Sequence, residues 1–469
     1  MSVAALVLMT SQSAQAQEPA AELDSTELAA SAPKQDSPQE TTSPASYAVP
    51  LVGIVGFDFL LNRAGERFID HETYHVTGSS VRRNLKGPWV VDNDPFSVNQ
   101  FLHPYQGAMY HGFARSAGLN YWQSLGYTFT GSALWEIAGE TTQPSINDQI
   151  ASGVGGSFLG EPLFRIANLV LEQPGLPRFW RNLFALAVSP STEFNRIAYG
   201  DRFRRVFPSR DPFIYPRVQL GVMGTSSVRK DILQTFTRNA AVTEFAIDYG
   251  LPGKPNYSYT RPFDYFSFEF AGSSANAFEH IFSRGLLAGK KYGDASQDYR
   301  GIWGLYGSYD YVSPQLFRVS SVAVSLGDTA ERRLAKSLAL QSTVLGGIGY
   351  GAAGTIHGTD ETDYHYGLTP QLLVATRFIA GDKAALDLTL RDYYVSRVVS
   401  AAHRGSENNA RAEALFTTRI WHHHGASVKY IWSRRTASYP DLGNRVQSRG
   451  SFGLFYTYLG DTRFGSVGW

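Results

Sequence analysis

The chain has 469 residues, a formal net charge of +1 and no cysteine. The near-zero charge excludes an overall field that would recruit nucleic acid, and the lack of thiols excludes disulfides, cysteine nucleophiles and thiolate metal sites. Charged residues make up 18% of the chain, below the roughly 25% of ordinary soluble domains, and aromatic residues make up 13%. The chain contains no run of about 18 apolar residues, so we do not expect a membrane-spanning helix.

The N-terminal segment has the features of an export signal followed by a linker. Residues 2–10 form a short apolar region, and Ala14, Gln15 and Ala16 form a small-x-small cleavage site. The next 30 or so residues are rich in Ala, Glu, Ser, Thr and Pro and contain almost no bulky apolar side chain. Such a segment buries too little apolar surface to fold by itself. We therefore predict a signal peptide over 1–16 and a disordered linker over 17–46.

Helix-starting and helix-ending residues punctuate the next part of the chain and predict a helical domain over 47–205. Pro104 stands in the first turn of a predicted helix that Gly118 ends. Asn120 can cap the next helix, and Ser145 with Asp148 three residues later forms a capping box at the start of a longer one. Small residues on that long helix allow another backbone to approach closely: Gly153, Gly156 and Gly160.

Three stretches of this domain combine polar and aromatic motifs: "WVVDNDPFSVNQFLHPYQGAMYHGFARSAG" (89–118), "GSALWEIAGETTQPSINDQIASGVGGSFLGE" (131–161) and "SPSTEFNRIAYGD" (189–201). Their D-N-D, N-Q, H-P-Y, A-R, W-E, N-D and G-E elements, taken in order, resemble the bacterial domain-of-unknown-function family 3943 over about 89–201. The resemblance covers roughly a third of the chain. It implies a location in the bacterial envelope and implies no particular activity.

The polar residues of these motifs are the candidates for chemistry: Asp92, Asp94, Asn99, His103, Arg115, Glu136, Glu140, Asn147, Asp148, Glu161 and Arg165. Glu136 and Glu140 are four residues apart, so both carboxylates lie on one helix face, where they could hold a cation or pair with Arg115. Glu161 and Arg165 have the same spacing and can pair with each other. Two interpretations remain open, a structural ion-pair network and a ligand-binding or catalytic site.

From about residue 212 onward apolar and polar residues alternate. Phe266, Phe268 and Phe270 share one face of "FDYFSFEF", and "ALDLTLRD" (385–392) repeats the pattern. Such alternation predicts strands with one apolar and one polar face, either in a soluble sandwich or in a transmembrane barrel. Three features favour the barrel: segments of about 9–12 residues, aromatic residues near the segment ends, and long and short connections that alternate.

The aromatic residues that we assign to interfacial girdles include Trp303, Tyr309 and Tyr311. The long connections are predicted at 350–365, 397–410 and 434–447, and the short ones at 380–384 and 422–426. We predict an antiparallel transmembrane barrel of about 12 strands within 212–469, near 212–223, 239–250, 262–271, 279–290, 301–312, 316–327, 336–348, 365–379, 383–395, 409–421, 425–434 and 449–460.

The stretch "HETYH" (71–75) fits H-E-x-x-H, the zinc-protease pattern. That chemistry needs His71 and His75 on one stable helix, with Glu72 as general base and a third ligand further on. Val76, Thr77 and Gly78 follow immediately and argue against such a helix, so we favour a surface segment over an adventitious metal site or a peptidase.

Together these features predict an α+β protein of the bacterial outer membrane, with a helical domain that caps the periplasmic mouth of the barrel. The leading hypothesis is non-enzymatic: the protein binds or passes an envelope lipid or a small solute. The alternatives are a membrane-embedded lipid hydrolase that uses His103 with the Asp and Glu cluster, and a zinc peptidase that uses His71, Glu72 and His75. We expect no cofactor and no nucleic acid partner. The expected partners are outer-membrane lipid and, during biogenesis, the barrel-assembly machinery.

Overall fold

The structure is a computed structural model, and it describes residues 45–200, 209–229, 234–293, 297–313, 317–354, 361–397, 405–440 and 443–467. The predicted signal peptide and all but the last two residues of the predicted linker lie outside the described residues. A helical region precedes one closed antiparallel barrel of 12 strands. The predicted fold class is therefore confirmed.

The described helical region contains α1 (Ala48–Phe68), α2 (His71–Tyr74), α3 (Gly78–Lys86), α4 (His103–Ser116), α5 (Tyr121–Ala138), α6 (Ile146–Ile150), α7 (Gly156–Leu171), α8 (Arg178–Val188) and α9 (Pro190–Tyr199). Two π-helical turns, Val98–Leu102 and Ala151–Gly155, lead directly into α4 and α7. The predicted caps are present: Asn120 accepts a hydrogen bond from the Gln123 backbone N–H, and Ser145 accepts one from that of Asp148. The predicted capping box at Ser145 is wrong in its second half, because the Ser145 N–H donates to Glu136 and not to the Asp148 side chain. Gly118 ends α4 with a φ of 91°.

The long helices form a bundle whose centre is the contact between α4 and α7. A Cβ added to Gly156 would lie 2.5 Å from the Gly107 Cα atom, and one added to Gly160 would lie 3.0 Å from the Ala108 Cα atom. The predicted close approach of a second backbone is therefore confirmed at these two glycines. At Gly153 an added Cβ would instead meet the ring of Phe129, at 2.6 Å.

The barrel strands are β1 (Ile214–Arg229), β2 (Gln234–Tyr249), β3 (Phe266–Ser273), β4 (His280–Tyr292), β5 (Tyr299–Val312), β6 (Val319–Ala335), β7 (Leu338–Ala353), β8 (His365–Ala380), β9 (Ala384–Val395), β10 (Ser406–Trp421), β11 (His424–Tyr439) and β12 (Gly443–Leu459). Tight turns at 336–337, 381–383 and 422–423 lie at one end, which we call the short-turn end, together with the start of β1 and the end of β12. The opposite, long-loop end carries 354–364 and 396–405. The third predicted long loop is shorter than expected, because β11 and β12 extend to leave 440–442 between them.

The two faces of the barrel wall differ in chemistry as the alternation predicts. The inward face is polar and ion-paired: buried Lys429 lies 2.6 Å from Glu244 and 2.9 Å from Glu413. Arg377 in turn lies 2.6 Å from Asp387. The outward face carries exposed apolar side chains on many strands, among them Val222, Val344, Leu388, Phe416 and Leu454. An apolar exterior around a polar interior is the arrangement of a transmembrane barrel.

The helical bundle packs against the outward face of the barrel wall. On β5, Asp310 points into the barrel and accepts a hydrogen bond from Tyr393, so its neighbours Tyr309 and Tyr311 point outward. Both are buried, and the Tyr309 hydroxyl donates a 2.5 Å hydrogen bond to the Gln100 carbonyl of the helical region. The predicted role of these two tyrosines in an interfacial girdle is therefore wrong, since helices cover them.

The contacts of α7 follow the outer wall from one end of the barrel to the other. The residue before α7, Gly155, faces Val322 of β6 near the long-loop end. At the opposite end, Arg165 donates hydrogen bonds to Asp264 and to the Pro262 carbonyl in the connection between β2 and β3. Sixteen helical residues at about 1.5 Å each make α7 roughly 24 Å long, close to the roughly 25 Å apolar band of an outer-membrane barrel.

The predicted helical cap over the periplasmic mouth is wrong in geometry. The mouth at the short-turn end is occupied by the segment after β12, in which Phe464 and Val467 are buried. Arg300 from the inward face donates to the Val467 carbonyl, and Gln341 donates a 2.7 Å hydrogen bond to the Gly465 carbonyl. The sequence prediction failed because it considered only the lumen and its mouth as places for the helices.

Among the described helices, α1 is the one that is long and apolar enough to cross a membrane. Only 28% of its most apolar 18-residue window is buried. Leu51, Val52, Val55, Phe59 and Leu60 are exposed on the outer side of the bundle. A helix here agrees with the predicted helical domain, but a candidate span was not expected, because Asp58, Asn62 and glycines interrupt the apolar run.

Candidate functional site

The candidate site lies at the long-loop end of the bundle, where the start of α4, the end of α5 and α6 meet the first residues of β8. Local structure positions each part. The Val90 backbone N–H donates to the Pro144 carbonyl, and the Ile146 N–H donates to the Val90 carbonyl, which holds the segment that carries Asp92 against α6. The π-helical turn Val98–Leu102 then turns Asn99 and Gln100 toward the barrel.

Three buried side chains form the centre of the site: His103, Glu136 and Asp148. One ligand-type atom from each lies within 4.8 Å of the other two. The Nε2 atom of His103 is 3.6 Å from Asp148 Oδ2, which is too far for a hydrogen bond. The Nδ1 atom of His103 is buried and has no hydrogen-bond partner.

Amide and phenol groups surround this centre and orient Asp92. The Asp92 Oδ1 atom accepts 2.7 Å hydrogen bonds from the side-chain amides of Asn99 and Asn147. Both amides and that of Gln100 also donate to the hydroxyl of Tyr366, at 2.8–3.1 Å. Tyr366 was not among the predicted site residues, because an alternating pattern does not distinguish a tyrosine that contacts helices from one that contacts lipid.

The site carries negative charge without a matching arginine or lysine. Five of its residues are carboxylic acids: Asp92, Asp94, Glu136, Glu140 and Asp148. In the described part of the chain none of them forms an ion pair with an arginine or a lysine, and His103 is the only basic group at ion-pair distance. The site therefore needs protons or a bound cation to balance its charge.

The surroundings of Asp148 and Asp94 raise the pKa of both carboxyl groups. Burial first, and then the charges of Asp92 and Glu136, raises the pKa of Asp148 well above its ordinary value. Burial, together with the charges of Asp92 and Glu140, raises the pKa of Asp94 to about 6. Because these surroundings favour the protonated form of Asp148 and Asp94, a cation that binds beside them competes with protons.

The predicted pairing of Arg115 with Glu136 and Glu140 is wrong. Arg115 donates instead to both carboxylate oxygens of buried Glu161, at 2.7 and 3.1 Å. Glu140 accepts hydrogen bonds from the Trp135 indole and the Thr142 hydroxyl. The helix order explains the error: α5 runs back along α4, which puts Arg115 at one end of the bundle and the end of α5 at the other.

Glu161 is the centre of a second cluster, which we call the Glu161 network: His111, Arg115, Glu161, Arg165 and Asp264. Arg165 lies 2.8 Å from Glu161, as the spacing of the two residues predicts, and 3.1 Å from Asp264. The His111 Nε2 atom lies 3.0 Å from Glu161 Oε2. Of the eleven candidate residues, eight therefore lie in or beside the His103 cluster, and Arg115, Glu161 and Arg165 lie in this network.

The HETYH stretch has a different geometry from a zinc protease site. Helix α2 ends at Tyr74, so His75 lies outside it. The imidazoles of His71 and His75 nevertheless stack at 4.8 Å, and Glu66 of α1 joins them to form an exposed group that could hold a metal ion. The acid in this group is Glu66. In a zinc peptidase the glutamate of the motif, here Glu72, would be the general base, and Glu72 is not part of the group.

Comparison with known proteins gives one match to the helical region and several to barrels. Residues 88–191 match the family model described as Domain of unknown function (DUF3943), which confirms the resemblance found in the sequence. No curated protein matches the chain. Solved structures that are similar include the NanC porin (9% identity, 50% of this chain and 98% of that chain, TM-score 0.29). They also include the COG4313 outer membrane channel from Pseudomonas putida F1 (12% identity, 53% and 96%, TM-score 0.27). These likenesses concern the barrel fold alone.

Proposed function

We propose that this protein is an outer-membrane barrel whose helical bundle lies in the bilayer against the outer wall and binds an envelope lipid without transforming it. The observation that carries the proposal is the position of the bundle. It covers the outward face of the barrel, while an ion-paired group crosses the lumen and residues 460–467 close one mouth. A ligand reaches such a surface from the bilayer.

The membrane position follows from the two apolar surfaces that the protein exposes. The free part of the barrel wall presents apolar side chains all along its strands, and α1 presents another apolar surface on the far side of the bundle. Both α1 and β1 begin at the short-turn end. There the Ser46 N–H, just before α1, donates a hydrogen bond to the Ala117 carbonyl at the end of α4. We assign the short-turn end to the periplasm, because barrels of this kind have short periplasmic turns.

A cleft at the long-loop end has the chemistry to hold a lipid. It lies between the π-helical turn and the barrel rim and is lined by Phe101, Leu102, Phe278 and Tyr311. Its charged residues are Arg238, Glu279 and the ion pair of Arg318 with Glu361. The rings of Phe101 and Phe278 are 4.2 Å apart, and Leu102 is 51% exposed. Aromatic walls beside charged groups of both signs suit a molecule with acyl chains and a polar headgroup.

The test is whether a lipid stays bound after purification. Native mass spectrometry of the full chain, released from delipidating detergent, should show a retained lipid in the wild type. Leu102→Trp should lose it, because the larger ring fills the cleft, whereas Leu388→Trp should keep it. Leu388 is also exposed and faces outward, on β9. A wild type without lipid, or equal retention by both variants, would refute the proposal.

Passage of a solute through the lumen is tested separately. Because buried Lys429, Glu244 and Glu413 occupy the middle of the barrel, the protein in planar bilayers should give no steady conductance. An open-channel current of the kind that porins show would favour passage over binding.

Lipid hydrolysis is the second candidate function, and the convergence of His103 with Asp148 and Glu136 is the observation that favours it. In the described part of the chain no serine hydroxyl is hydrogen-bonded to His103. The nucleophile would therefore have to be water. Release of fatty acid from phospholipid vesicles by the wild type, abolished in His103→Ala, would move this candidate to first place.

A further inference from the structure

We propose that His103, Glu136 and Asp148 bind one divalent transition-metal ion of the Zn²⁺ or Mn²⁺ class. The proposal goes beyond lipid binding and does not depend on it. It rests on the geometry of the three side chains and on the charge of the cluster.

The distances fit shared coordination better than hydrogen bonding. Two ligands at about 2.1 Å from a metal in a tetrahedral site are about 3.4 Å apart. The observed 3.6 Å between His103 Nε2 and Asp148 Oδ2 is close to this value, whereas hydrogen bonds of this kind reach only about 3.2 Å. The buried Nε2 atom of His103 therefore faces Asp148 at a ligand-to-ligand distance and not at a hydrogen-bond distance.

The surrounding residues have the features of a support for such a centre. Asn147 stands beside Asp148 and donates 3.1 Å and 2.7 Å hydrogen bonds to Asp148 and Asp92. The Ser145 N–H donates to Glu136 Oε2 at 2.8 Å and fixes that carboxylate. Outer groups that orient metal ligands in this way raise affinity.

The donor set points to a class of metal. One imidazole with two carboxylates suits Zn²⁺ or Mn²⁺, whereas Ca²⁺ and Mg²⁺ prefer sites made of oxygen alone. Three protein ligands leave a coordination position for water or for an oxygen of a ligand. Another group of the described residues could hold a metal ion and lies inside the barrel: Glu244, Glu269 and His280. It is a poorer candidate, because Glu244 is already paired with Lys429 and Glu269 with Arg391.

The experiment uses the full chain with His71→Ala, which removes the exposed group formed by Glu66, His71 and His75. The purified protein is stripped with a chelator and equilibrated with Zn²⁺ or Mn²⁺ alone, and bound metal is counted by inductively coupled plasma mass spectrometry. We expect about one ion per chain. Excess Ca²⁺ or Mg²⁺ should not displace it.

The deciding variant adds Glu136→Gln and Asp148→Asn to His71→Ala. Both amides keep the hydrogen-bond acceptors that Ser145 and Asn147 use, so the fold should persist, which circular dichroism checks. The bound ion should be lost. Tyr366→Phe, which alters only the outer support, should lower affinity by about 10–100-fold and leave the stoichiometry unchanged.

A second measurement covers the case in which the variant folds poorly. Zn²⁺ should raise the melting temperature of the His71→Ala protein and should have no effect on that protein with Asp148→Asn alone. Less than a tenth of an ion per chain, or an ion that survives the loss of both carboxylates, overturns the proposal. Leu102→Trp should keep the metal, so failure of lipid binding and failure of metal binding are separate results.

Discussion

Replacing buried Glu161 by glutamine should destabilise the helical bundle and leave the barrel intact. The Glu161 carboxylate accepts hydrogen bonds from Arg115 and Arg165 and lies 3.0 Å from the His111 ring. Its side chain is 0% exposed, and that of Arg165 is equally buried. Glutamine keeps the shape of the side chain but removes the carboxylate that joins these three residues.

The size of the effect follows from what each arginine retains. Removal of one partner from a buried ion pair typically costs about 3–5 kcal/mol. Arg165 keeps Asp264 and the Pro262 carbonyl, and Arg115 keeps the Leu119 carbonyl and the ring of Phe164 at 4.8 Å. We therefore expect the lower part of the range, about 3–4 kcal/mol, which increases the opening equilibrium by roughly 100- to 1,000-fold.

Hydrogen exchange measured by mass spectrometry can follow the two parts separately. Protection of a peptide from α4, residues 103–116, should fall by roughly that factor, and protection of a peptide from β10 should not change. The matched control is Glu136→Gln in metal-free protein. The Glu136 side chain accepts one hydrogen bond, from the Ser145 N–H, and has no cationic partner among the described residues, so this change should be neutral or stabilising. Normal protection in Glu161→Gln, or equal losses in both variants, would refute the reasoning.

Three further predictions concern topology, packing and the HETYH stretch. A cysteine at Pro440 should be labelled from outside intact cells and one at Asp382 should not; the opposite result would reverse the orientation. Gly107→Ala should lower the helical content and thermal stability measured by circular dichroism, since its Cβ would lie 1.9 Å from the Ser152 carbonyl oxygen. His71→Ala should change neither the helical content nor the zinc content of the purified protein, and loss of stoichiometric zinc would identify HETYH as the metal site.

The sequence predicted the elements of the fold better than their arrangement. Alternation identifies the strands and their two faces, because a period of two follows directly from strand geometry. It does not say what covers the outward face. Tyr309 lies under the bundle and Trp303, on the same face of the same strand, is 51% exposed, yet both are aromatic residues in one alternating segment. The position of the bundle could therefore not be predicted from the pattern.

The same limit applies to the candidate site. Motif residues that are far apart in the chain, such as Asp92, His103, Glu136 and Asp148, do meet, and their polar character in an otherwise apolar domain was the signal that selected them. The partner of Arg115 was missed, because helix periodicity gives the face on which a residue lies but not the order in which helices cross. Tyr366 was missed because the barrel was treated as separate from the helices.

The two charged clusters of the bundle differ in a way that separates a structural role from a functional one. In the Glu161 network every carboxylate has a cationic partner, as expected where buried charges serve the fold. In the His103 cluster buried acids adjoin one another, and burial and like charge work against ionisation. Among the described residues no arginine or lysine is paired with these acids, which is the arrangement expected where protons or a cation balance the charge. The three ligand-type atoms within 4.8 Å of one another are the place that we propose for that cation.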